Sequence, residues 1–440
     1  MEGKCGVFVN PYDAIMSSKG AYERYSMLTL KERGEVINRL RIELASHAEA
    51  LASMEKEETA MGIYNDKLIQ IFKAISASPG ASFVEQNSVS DEEGLILYEN
   101  FPFGVSCVIH PINHPVASLI NHVIMLLSAG NSVINLIPKR AENVCTSLVN
   151  LINNCVADIC GIDNLVICMA DTSYEYNRQI MESPDVSLVV ATGGTDITNK
   201  VLSLPKKVIA AGCANPVTII DTTADIRNAA KDISEAVCFD NNLLCTSEKS
   251  AVVLEDVKDS FKKQLIEKGA FLLNETEIKK LESAVFGVDM QIKREIIGQD
   301  ANTILMKAGI FNIPRENIRF IIFDADATSP FVINEIAAPI LPIVEARNFE
   351  EALILAKFIE QGFEHTATIF SKNIDHLSAA SRLLRTSIFV KNGSSLLGAG
   401  IKGNAPVSFT IANITGEGAV SPKNFVKKRK CILNGSFERI

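Results

Sequence analysis

Tryptophan is absent from this 440-residue chain, and aromatic residues make up only 6% of it. Long apolar runs are missing too: no stretch approaches the ~18 consecutive apolar residues of a membrane-spanning helix. The best candidate, Val116 to Ala129, is interrupted by Asn121 and His122. The chain does not open with a basic segment followed by an apolar one, as a secretory signal would. We therefore expect a cytoplasmic protein without a membrane partner.

The ten cysteines include no Cys-x-x-Cys pair. In a chain without an export signal this pattern indicates reduced thiols, and neither a zinc ribbon nor a thioredoxin-type site. The formal net charge of −9 argues against a surface that binds nucleic acid. The basic run Lys427 to Lys430 is predicted to be the solvated face of a terminal strand, with contact to phosphate or a partner as the alternative.

Three neighbouring histidines raise the question of a metal. His110 and His114 would share one face of a helix, as metal-binding helices require. Pro111 and Pro115 are incompatible with that helix, and no acidic residue lies nearby in the sequence. We therefore expect no metal site, and loop histidines instead, the third being His122.

The chain is long enough for two or three domains, and 47% hydrophobic residues are ample for filled cores. A helical region comes first, opened by a capping box at Thr29 and Glu32. From Gly104, short apolar runs alternate with helical segments, and a second series begins near Val217. This alternation predicts parallel sheets covered by helices on both faces, with nucleotides bound at the carboxyl ends of the strands.

One cysteine differs from the others in its context. Segment 239–245, Phe-Asp-Asn-Asn-Leu-Leu-Cys, places Cys245 after a predicted helix, Asp225 to Ala236, and a polar turn. Buried cysteines are mostly inert small hydrophobic residues. Composition alone is therefore a weak indication that Cys245 is a nucleophile.

This segment resembles the nucleophile segment of the coenzyme A-acylating aldehyde dehydrogenases of ethanolamine and propanediol utilisation. Four further segments match that family in the same order: Val190 to Thr195, Gly212 to Pro216, His365 to Ala367, and Ser408 to Gly418. The similarity runs from about Gly104 to Leu433, with a weaker helical match before it. The resemblance implies an aldehyde dehydrogenase-like α/β fold, with a Rossmann-type cofactor domain (1–214), an α/β catalytic domain (215–410), and a return to the cofactor domain with an oligomerisation tail (411–440).

The resemblance also implies how each site residue acts. Cys245 attacks an aldehyde, and the resulting oxyanion accepts hydrogen bonds from its own backbone N–H and from the side-chain amide of Asn113. Asn113 could equally be a turn former between two prolines, and both roles are compatible. Cofactor contacts are assigned to Thr192, Gly193, Gly194, Thr195, Pro138, Ala211, Gly212 and Glu335, and coenzyme A or pocket contacts to His365 and Ile112.

Three of these assignments have alternatives. The two-glycine turn is as typical of plain strand-to-helix geometry as of pyrophosphate binding. His365 could be a hydrogen-bonded core histidine. The hydride acceptor is expected to be NAD, but Leu136 stands where hydrolytic relatives have a ribose-binding lysine, so NADP stays open.

The acceptor of the acyl group is inferred from a missing residue. Hydrolytic aldehyde dehydrogenases activate water with a glutamate, and alignment through Asn215 and Pro216 places Ala211 at that position. Alanine cannot take a proton, and general-base catalysis is worth ~10²–10⁴ in rate. Water attack should therefore be slow. The resemblance accordingly implies coenzyme A as acceptor and an acyl-CoA as product, from a two- or three-carbon aldehyde.

Three other functions fit the sequence less well. A hydrolytic aldehyde dehydrogenase would need the missing glutamate, and a glutamyl-phosphate reductase fits segment 239–245 poorly. A non-catalytic nucleotide-binding protein on the same fold would be expected to have lost Cys245, Asn113 or Glu335, and all three are present.

Assembly is predicted from the tail. Residues 431–433 are expected to form a short strand without a partner in their own chain, which a second subunit would cover in a homodimer or homotetramer. The resemblance leaves open a location inside a bacterial microcompartment, with shell or core proteins as partners.

Overall fold

The structure is a computed structural model that describes residues 6–84, 86–91, 93–311 and 318–435. The first half contains β1 (Val7–Phe8), α1 (Pro11–Tyr25), α2 (Leu30–Thr59), α3 (Tyr64–Ala77), β2 (Asn87–Asp91), β3 (Gly94–Pro102), β4 (Val105–Ile109), α4 (Pro115–Ser128), β5 (Ser132–Leu136), α5 (Glu142–Cys160), β6 (Val166–Met169), α6 (Tyr174–Glu182), β7 (Val186–Thr192), α7 (Thr195–Leu202) and β8 (Lys207–Ala211).

The second half contains β9 (Val217–Ile220), α8 (Ile226–Cys238), β10 (Ser250–Leu254), α9 (Glu255–Glu267), β11 (Ala270–Leu272), α10 (Glu275–Val285), α11 (Ala301–Lys307), β12 (Phe320–Asp324), α12 (Pro330–Ile333), β13 (Ile340–Ala346), α13 (Phe349–Glu360), β14 (Thr366–Phe370), α14 (Ile374–Leu383), β15 (Ile388–Lys391), α15 (Ser395–Gly398), β16 (Ile411–Ala412), β17 (Gly418–Ala419) and β18 (Val426–Asn434).

Two parallel sheets form the centre of the fold. The first has the strand order β1-β6-β5-β4-β7-β8, and the second has the order β11-β12-β13-β10-β9-β14-β15. Every residue of β5, β6, β9, β10 and β14 is buried, as expected for strands covered by helices on both faces. One sheet ends at Ala211 and the other begins at Val217. The predicted alternation of strands and helices is confirmed in both series.

The long helix α2 shows why the N-terminal region folds as it does. The side chain of Glu32 accepts a hydrogen bond from the backbone N–H of Thr29 at 2.7 Å, which confirms the predicted capping box. Val36, Leu40 and Leu44 follow at helical spacing and are buried in the main hydrophobic cluster. Packing of this stripe places α2 and α3 against α4.

The tail corrects one prediction. Strand β18 is not without a partner in its own chain, because it pairs antiparallel with β3 from Val426 opposite Pro102 to Asn434 opposite Gly94. Strand β3 also pairs with β2, which gives a three-stranded antiparallel sheet. The partner was missed because β3 lacks the regular alternation that marks a half-buried strand. Lys427 to Lys430 are exposed on this sheet, as predicted.

The C-terminal part of the chain returns to the first core before residue 411. Leu396, Ile401, Val407 and Phe409 are already buried in the hydrophobic cluster that contains α2 and α4. This return lays the segment around Ser408 beside the carboxyl ends of the first sheet. Within the described residues, no helix combines the length and apolarity that a membrane span requires.

Candidate active site

A cavity of about 180 Å³ lies where the two sheets meet. Its walls come from the loops after β4, β7 and β8, the turn after α8, the segment after α12, and the start of β14. The residues that line it are Pro111, Asn113, His114, Thr192, Gly193, Gly194, Ala211, Gly212, Cys213, Cys245, Glu335, His365 and Ile411. Segments far apart in sequence therefore contribute to one site at the strand ends.

Not all of the predicted site residues line this cavity. Pro138 follows β5, Ile112 packs partly buried against the main cluster, and Thr195 begins α7 with its hydroxyl 3.3 Å from the Cys213 sulfur. His114, Pro111 and Ile411 line the cavity but were not predicted to do so. Two features of the sequence could have pointed to them: Asn113, which is next to His114, and the matching segment 408–418, which contains Ile411.

The turn before Cys245 has an unusual backbone. Asp240, Asn241 and Asn242 are three consecutive residues with positive φ, at 49°, 54° and 60°. Aspartate and asparagine tolerate this left-handed region best among residues with a side chain. Their own side chains hold the turn, since Asn241 Nδ2 donates to Gly298 O at 2.9 Å and Asn242 Nδ2 to Glu248 O at 3.2 Å. The polar residues of the motif thus shape the backbone that presents Cys245.

Asp240 anchors this turn to the N-terminal helices through buried charges. Its carboxylate accepts a hydrogen bond from Gln70 Nε2 at 2.8 Å and lies 3.3 Å from Lys67 Nζ. The same lysine pairs with Glu55 at 2.9 Å and also reaches the backbone oxygen of Asn113 at 3.4 Å. Lys67 therefore connects the cysteine turn with the loop that carries the predicted oxyanion donor. Sequence reasoning missed this cluster because its members are far apart in the chain.

The side-chain amide of Asn113 points at the cysteine turn. Its Nδ2 donates to the backbone oxygen of Leu243 at 2.8 Å. An amide nitrogen carries two hydrogens, so the second remains for an oxygen beside Cys245. The buried Oδ1 has no hydrogen-bond partner among the described residues.

The protonation states around Cys245 follow from burial. Burial raises the pKa of its thiol to about 12, and the negative charge of Glu335 adds to the rise. Burial also raises the pKa of Glu335 and lowers that of His365 to about 4, so this imidazole is neutral at neutral pH. Glu335 and His365 are the groups lining the cavity that can accept the thiol proton, with His114, another neutral imidazole, beside them.

A second, much smaller cavity is also lined by Cys245. It has a volume of about 10 Å³, roughly the room one water molecule needs. It is lined by His114, Leu244, Cys245, Thr246, Ala399, Ile401, Ser408, Phe409 and Ile411. Most of these side chains are apolar, so Cys245 lines both the larger cavity and a tight, mainly apolar one.

The turn after β7, at the wall of the larger cavity, offers room for a phosphate group. Gly194 caps α7, and its Cβ position is open space; a Cβ on Gly193 would come within 2.4 Å of the Ile197 side chain. Both glycines thus leave the first-turn N–H groups of α7 accessible to a phosphate. Gly212 lines the same cavity. A Cβ at this position would come within 2.7 Å of the Ile414 side chain.

Two of the three histidines, His110 and His122, are hydrogen-bonded inside the protein; His122 lies in α4 and not in a loop, and the buried Nδ1 of His114 has no hydrogen-bond partner among the described residues. His110 contacts Ser118 and Asn135, and His122 contacts Thr410 at 2.9 Å. Burial lowers the pKa values of His110, His114 and His122 to about 3, 3 and 4, which keeps all three neutral. In the part of the chain that is described, no group of three or more potential metal ligands is found.

Two parallel α/β sheets, a cavity at their strand ends lined by Cys245 and Asn113, and a glycine turn at a helix start are together typical of one class, the aldehyde dehydrogenases. The family model of the aldehyde dehydrogenase family matches residues 11–278. The chain belongs to this family, and within it to the coenzyme A-acylating aldehyde dehydrogenases.

Two curated relatives are acylating enzymes. The chain is 37% identical over 432 residues to the CoA-propanoylating propanal dehydrogenase of Citrobacter freundii, covering 98% of this chain and 93% of the relative. It is 32% identical to the acetylating acetaldehyde dehydrogenase of Salmonella typhimurium, with coverages of 98% and 93%.

Solved structures show the same fold. A Rhodopseudomonas palustris propionaldehyde dehydrogenase with bound CoA and an acylated cysteine superposes with a TM-score of 0.95, at 33% identity and 98% coverage of each chain. The propionaldehyde dehydrogenase of the Clostridium phytofermentans fucose utilisation microcompartment gives the same values. An engineered glycolyl-CoA reductase with bound NADP+ gives a TM-score of 0.96, at 33% identity and 99% coverage of each chain.

The role of Asn113 is testable by substitution. We expect Asn113→Ala to lower kcat by ~10²–10³, the usual cost of losing one oxyanion donor. The KM for the aldehyde should change little, because the oxyanion exists only after attack. Asn113→Asp, which keeps the shape but brings an acceptor, should be at least as slow. Pre-steady-state NADH formation measures the effect, and an unchanged burst rate in both variants would contradict the role.

Proposed function

We propose that this protein oxidises a short-chain aldehyde with NAD or NADP through a thioester on Cys245, and transfers the acyl group to coenzyme A. The observation that carries this function is that Cys245 shares one cavity with Asn113, the Gly193–Gly194 turn and Ala211. Cys245, Asn113 and the glycine turn fit thioester formation. Because Ala211 has no carboxylate, no dedicated base activates water against the thioester.

The first step is attack of the Cys245 sulfur on the aldehyde carbonyl carbon. The thiol proton passes to one of the cavity groups that can take it, Glu335, His365 or His114, and a carbon–sulfur bond forms. The carbonyl oxygen becomes an oxyanion, which the backbone N–H of Cys245 and the second N–H of Asn113 would hold. The aldehyde's carbon chain would lie in the larger cavity that Cys245 lines.

The second step removes hydride from the same carbon and leaves a thioester on Cys245. A bound nicotinamide cofactor supplies the hydride acceptor. Gly193, Gly194 and the start of α7 would hold its pyrophosphate. Glu335, which accepts a hydrogen bond from the Ala214 backbone, would hold its ribose. The choice between NAD and NADP belongs to residues beyond this cavity.

The third step is release of the acyl group. The coenzyme A thiol attacks the thioester carbon, the bond to Cys245 breaks, and the cysteine leaves as a thiolate. The neutral imidazole of His365 lines the same cavity and is suited to take the proton of the incoming thiol. Ala211 brings no carboxylate to activate a competing water.

The sheet formed by β2, β3 and β18 supports a homo-oligomer. Val89, Phe101, Ile432 and Leu433 on this sheet expose large apolar side chains. Exposed apolar side chains on a small antiparallel sheet with open edges are often covered by another chain. We propose that a second copy covers it in a homodimer or homotetramer.

A cytoplasmic location is proposed from the thiols. The nine cysteines that are described are all free, which fits a reducing compartment. The similarity to the propionaldehyde dehydrogenase of the Clostridium phytofermentans microcompartment supports encapsulation in a bacterial microcompartment, with shell or core proteins as partners.

A panel of aldehydes assayed for NADH and NADPH formation tests the proposed function. With coenzyme A present, we expect two- and three-carbon aldehydes to have the highest kcat/KM and acyl-CoA to be the product. Without coenzyme A, turnover should stop after about one NADH per active site, because the thioester stays on the enzyme. A free acid formed at the full rate without coenzyme A would instead indicate the hydrolytic function. Preference for long or aromatic aldehydes would contradict the size proposal, and cofactor binding without turnover of any aldehyde would contradict catalysis.

A further inference from the structure

Lys249 is a fully buried lysine four residues after Cys245 that the three proposed steps do not use. Its Nζ donates three hydrogen bonds: to Asn242 O at 2.6 Å, to Asn242 Oδ1 at 2.9 Å, and to Leu244 O at 3.0 Å. All three acceptors are uncharged, and Lys249 forms no ion pair in the described part of the chain. Burying a cation without a carboxylate partner is costly. Such a residue calls for a physical reason to be there.

The third of these hydrogen bonds reaches the reacting group through one peptide unit. The oxygen of Leu244 and the N–H of Cys245 belong to the same amide. A cation that binds the carbonyl oxygen of an amide draws electron density toward it, which makes the N–H at the other end a stronger donor. In a buried site this polarisation is little screened by water.

The other two hydrogen bonds fix the turn that precedes the nucleophile. Asn242 is the last of the three left-handed residues, and Lys249 holds both its backbone oxygen and its side-chain oxygen. The same ammonium group thus binds the carbonyl oxygens of two peptide groups, Asn242–Leu243 and Leu244–Cys245. These hydrogen bonds restrain the peptide that carries the Cys245 N–H.

We propose that Lys249 is a positioning residue for thioester formation, whose ammonium group orients and polarises the Leu244–Cys245 peptide so that the Cys245 N–H holds the oxyanion. This inference rests on the proposed aldehyde oxidation. Lys249 neither gains nor loses a proton in the step. It acts through the peptide, and it makes no bond to substrate.

The charged and titratable groups that face Lys249 are Glu335, Glu248, the Cys245 thiol and His365. Burial lowers the pKa of Lys249 to about 8, although the negative charge of Glu335 acts to raise it. Its positive charge in turn lowers the pKa of the thiol. A test must therefore separate an effect on the oxyanion from an effect on the thiolate fraction.

Two reactions of Cys245 make that separation. Acylation by an aldehyde passes through an oxyanion, whereas alkylation by iodoacetamide does not, and both require the thiolate. The ratio of the burst rate of NADH formation to the alkylation rate, at one pH, therefore reports on the oxyanion alone. The protein is used as the full chain with saturating NAD or NADP and propionaldehyde as the probe.

In Lys249→Met, which keeps the length and loses the charge, we expect this ratio to fall roughly 10- to 100-fold, less than the ~10²–10³ for loss of a whole oxyanion donor. Lys249→Gln keeps an uncharged N–H donor and should lie between this variant and the unchanged protein. Lys206→Met is the matched control: Lys206 is partly buried and also donates to a backbone carbonyl, that of Ser183, away from Cys245, and its loss should leave the ratio unchanged.

A fall of acylation and alkylation by the same factor would overturn the proposal, because Lys249 would then act only on the thiol or on folding. If the variants do not fold, the unchanged protein still gives a test. As pH rises through about 8, the ammonium group loses its proton, so the acylation-to-alkylation ratio should decline. A ratio that stays flat from pH 7 to roughly pH 10, where an unperturbed lysine titrates, would also overturn it. Absence of any NADH burst in the unchanged protein would instead refute the proposed function itself.

Discussion

Replacing Cys245 with serine should abolish aldehyde oxidation, with a loss on the order of 10⁶-fold, the scale reported when a covalent enzyme loses its nucleophile. A serine hydroxyl at this position would need a strong base, and the groups lining the cavity that can accept a proton are Glu335 and the neutral imidazoles of His365 and His114. Burial already raises the pKa of the more acidic thiol to about 12. The variant should still bind NADH, because the glycine turn after β7 is untouched. Steady-state NADH formation with propionaldehyde and coenzyme A measures the loss.

Cys213→Ser is the matched control. Cys213 lines the same cavity and is also partly exposed, but its sulfur contacts Thr195 at 3.3 Å, at the start of α7. We expect its replacement to weaken turnover only a few-fold. Mass spectrometry of the enzyme trapped with aldehyde, NAD and no coenzyme A should locate an acyl group on Cys245. The reverse ranking of the two variants, or an adduct on another residue, would show that the wrong thiol was identified.

The sequence predicted the fold well where buried strands alternate with amphipathic helices. The sequence pattern predicts strands at Lys207 to Ala211, Ser250 to Leu254 and Thr366 to Phe370 and a helix around Phe349 to Glu360, and β8, β10, β14 and α13 have these bounds. A fully buried strand in such a sheet is a short apolar run between polar turns, so its ends are visible in composition. Strand β13 was not predicted, although it is central to the second sheet, because Pro342 in its middle argues against a central strand.

Only those site residues that belong to short sequence motifs were predicted. Cys245, Asn113, Ala211, Glu335 and the glycine turn lie around one cavity, but their roles stay predictions until the variants are measured. The buried charges behind them were not visible. Lys67, Glu55 and Asp240 come together from separate segments, and no local pattern marks such a contact. Lys249 offered a weak signal, since a lysine directly before the apolar strand Ser250–Leu254 has few ways to reach water.

The choice of acyl acceptor yields the second prediction of large effect. Ala211 ends β8, is buried, and lines the cavity that contains Cys245. Its neighbours at this wall are glycines 193 and 212, so a longer side chain has the 180 Å³ cavity to extend into. We expect Ala211→Glu to increase the rate of thioester hydrolysis by up to ~10²–10⁴, the usual contribution of a general base. NADH formation should then continue without coenzyme A and give a free acid.

The pH dependence of this variant follows from the same burial that acts on Glu335, whose pKa is raised. A glutamate introduced beside it loses hydration and meets a like charge, so its pKa should also lie above the usual value. Only the ionised form takes a proton from water, so hydrolysis should increase as the pH rises through that pKa. Ala211→Gln fills the same space without a base and should leave hydrolysis as slow as in the unchanged protein. If glutamate and glutamine had equal effects while the NADH burst persisted, space or water access, and not the missing carboxylate, would be what protects the thioester for coenzyme A.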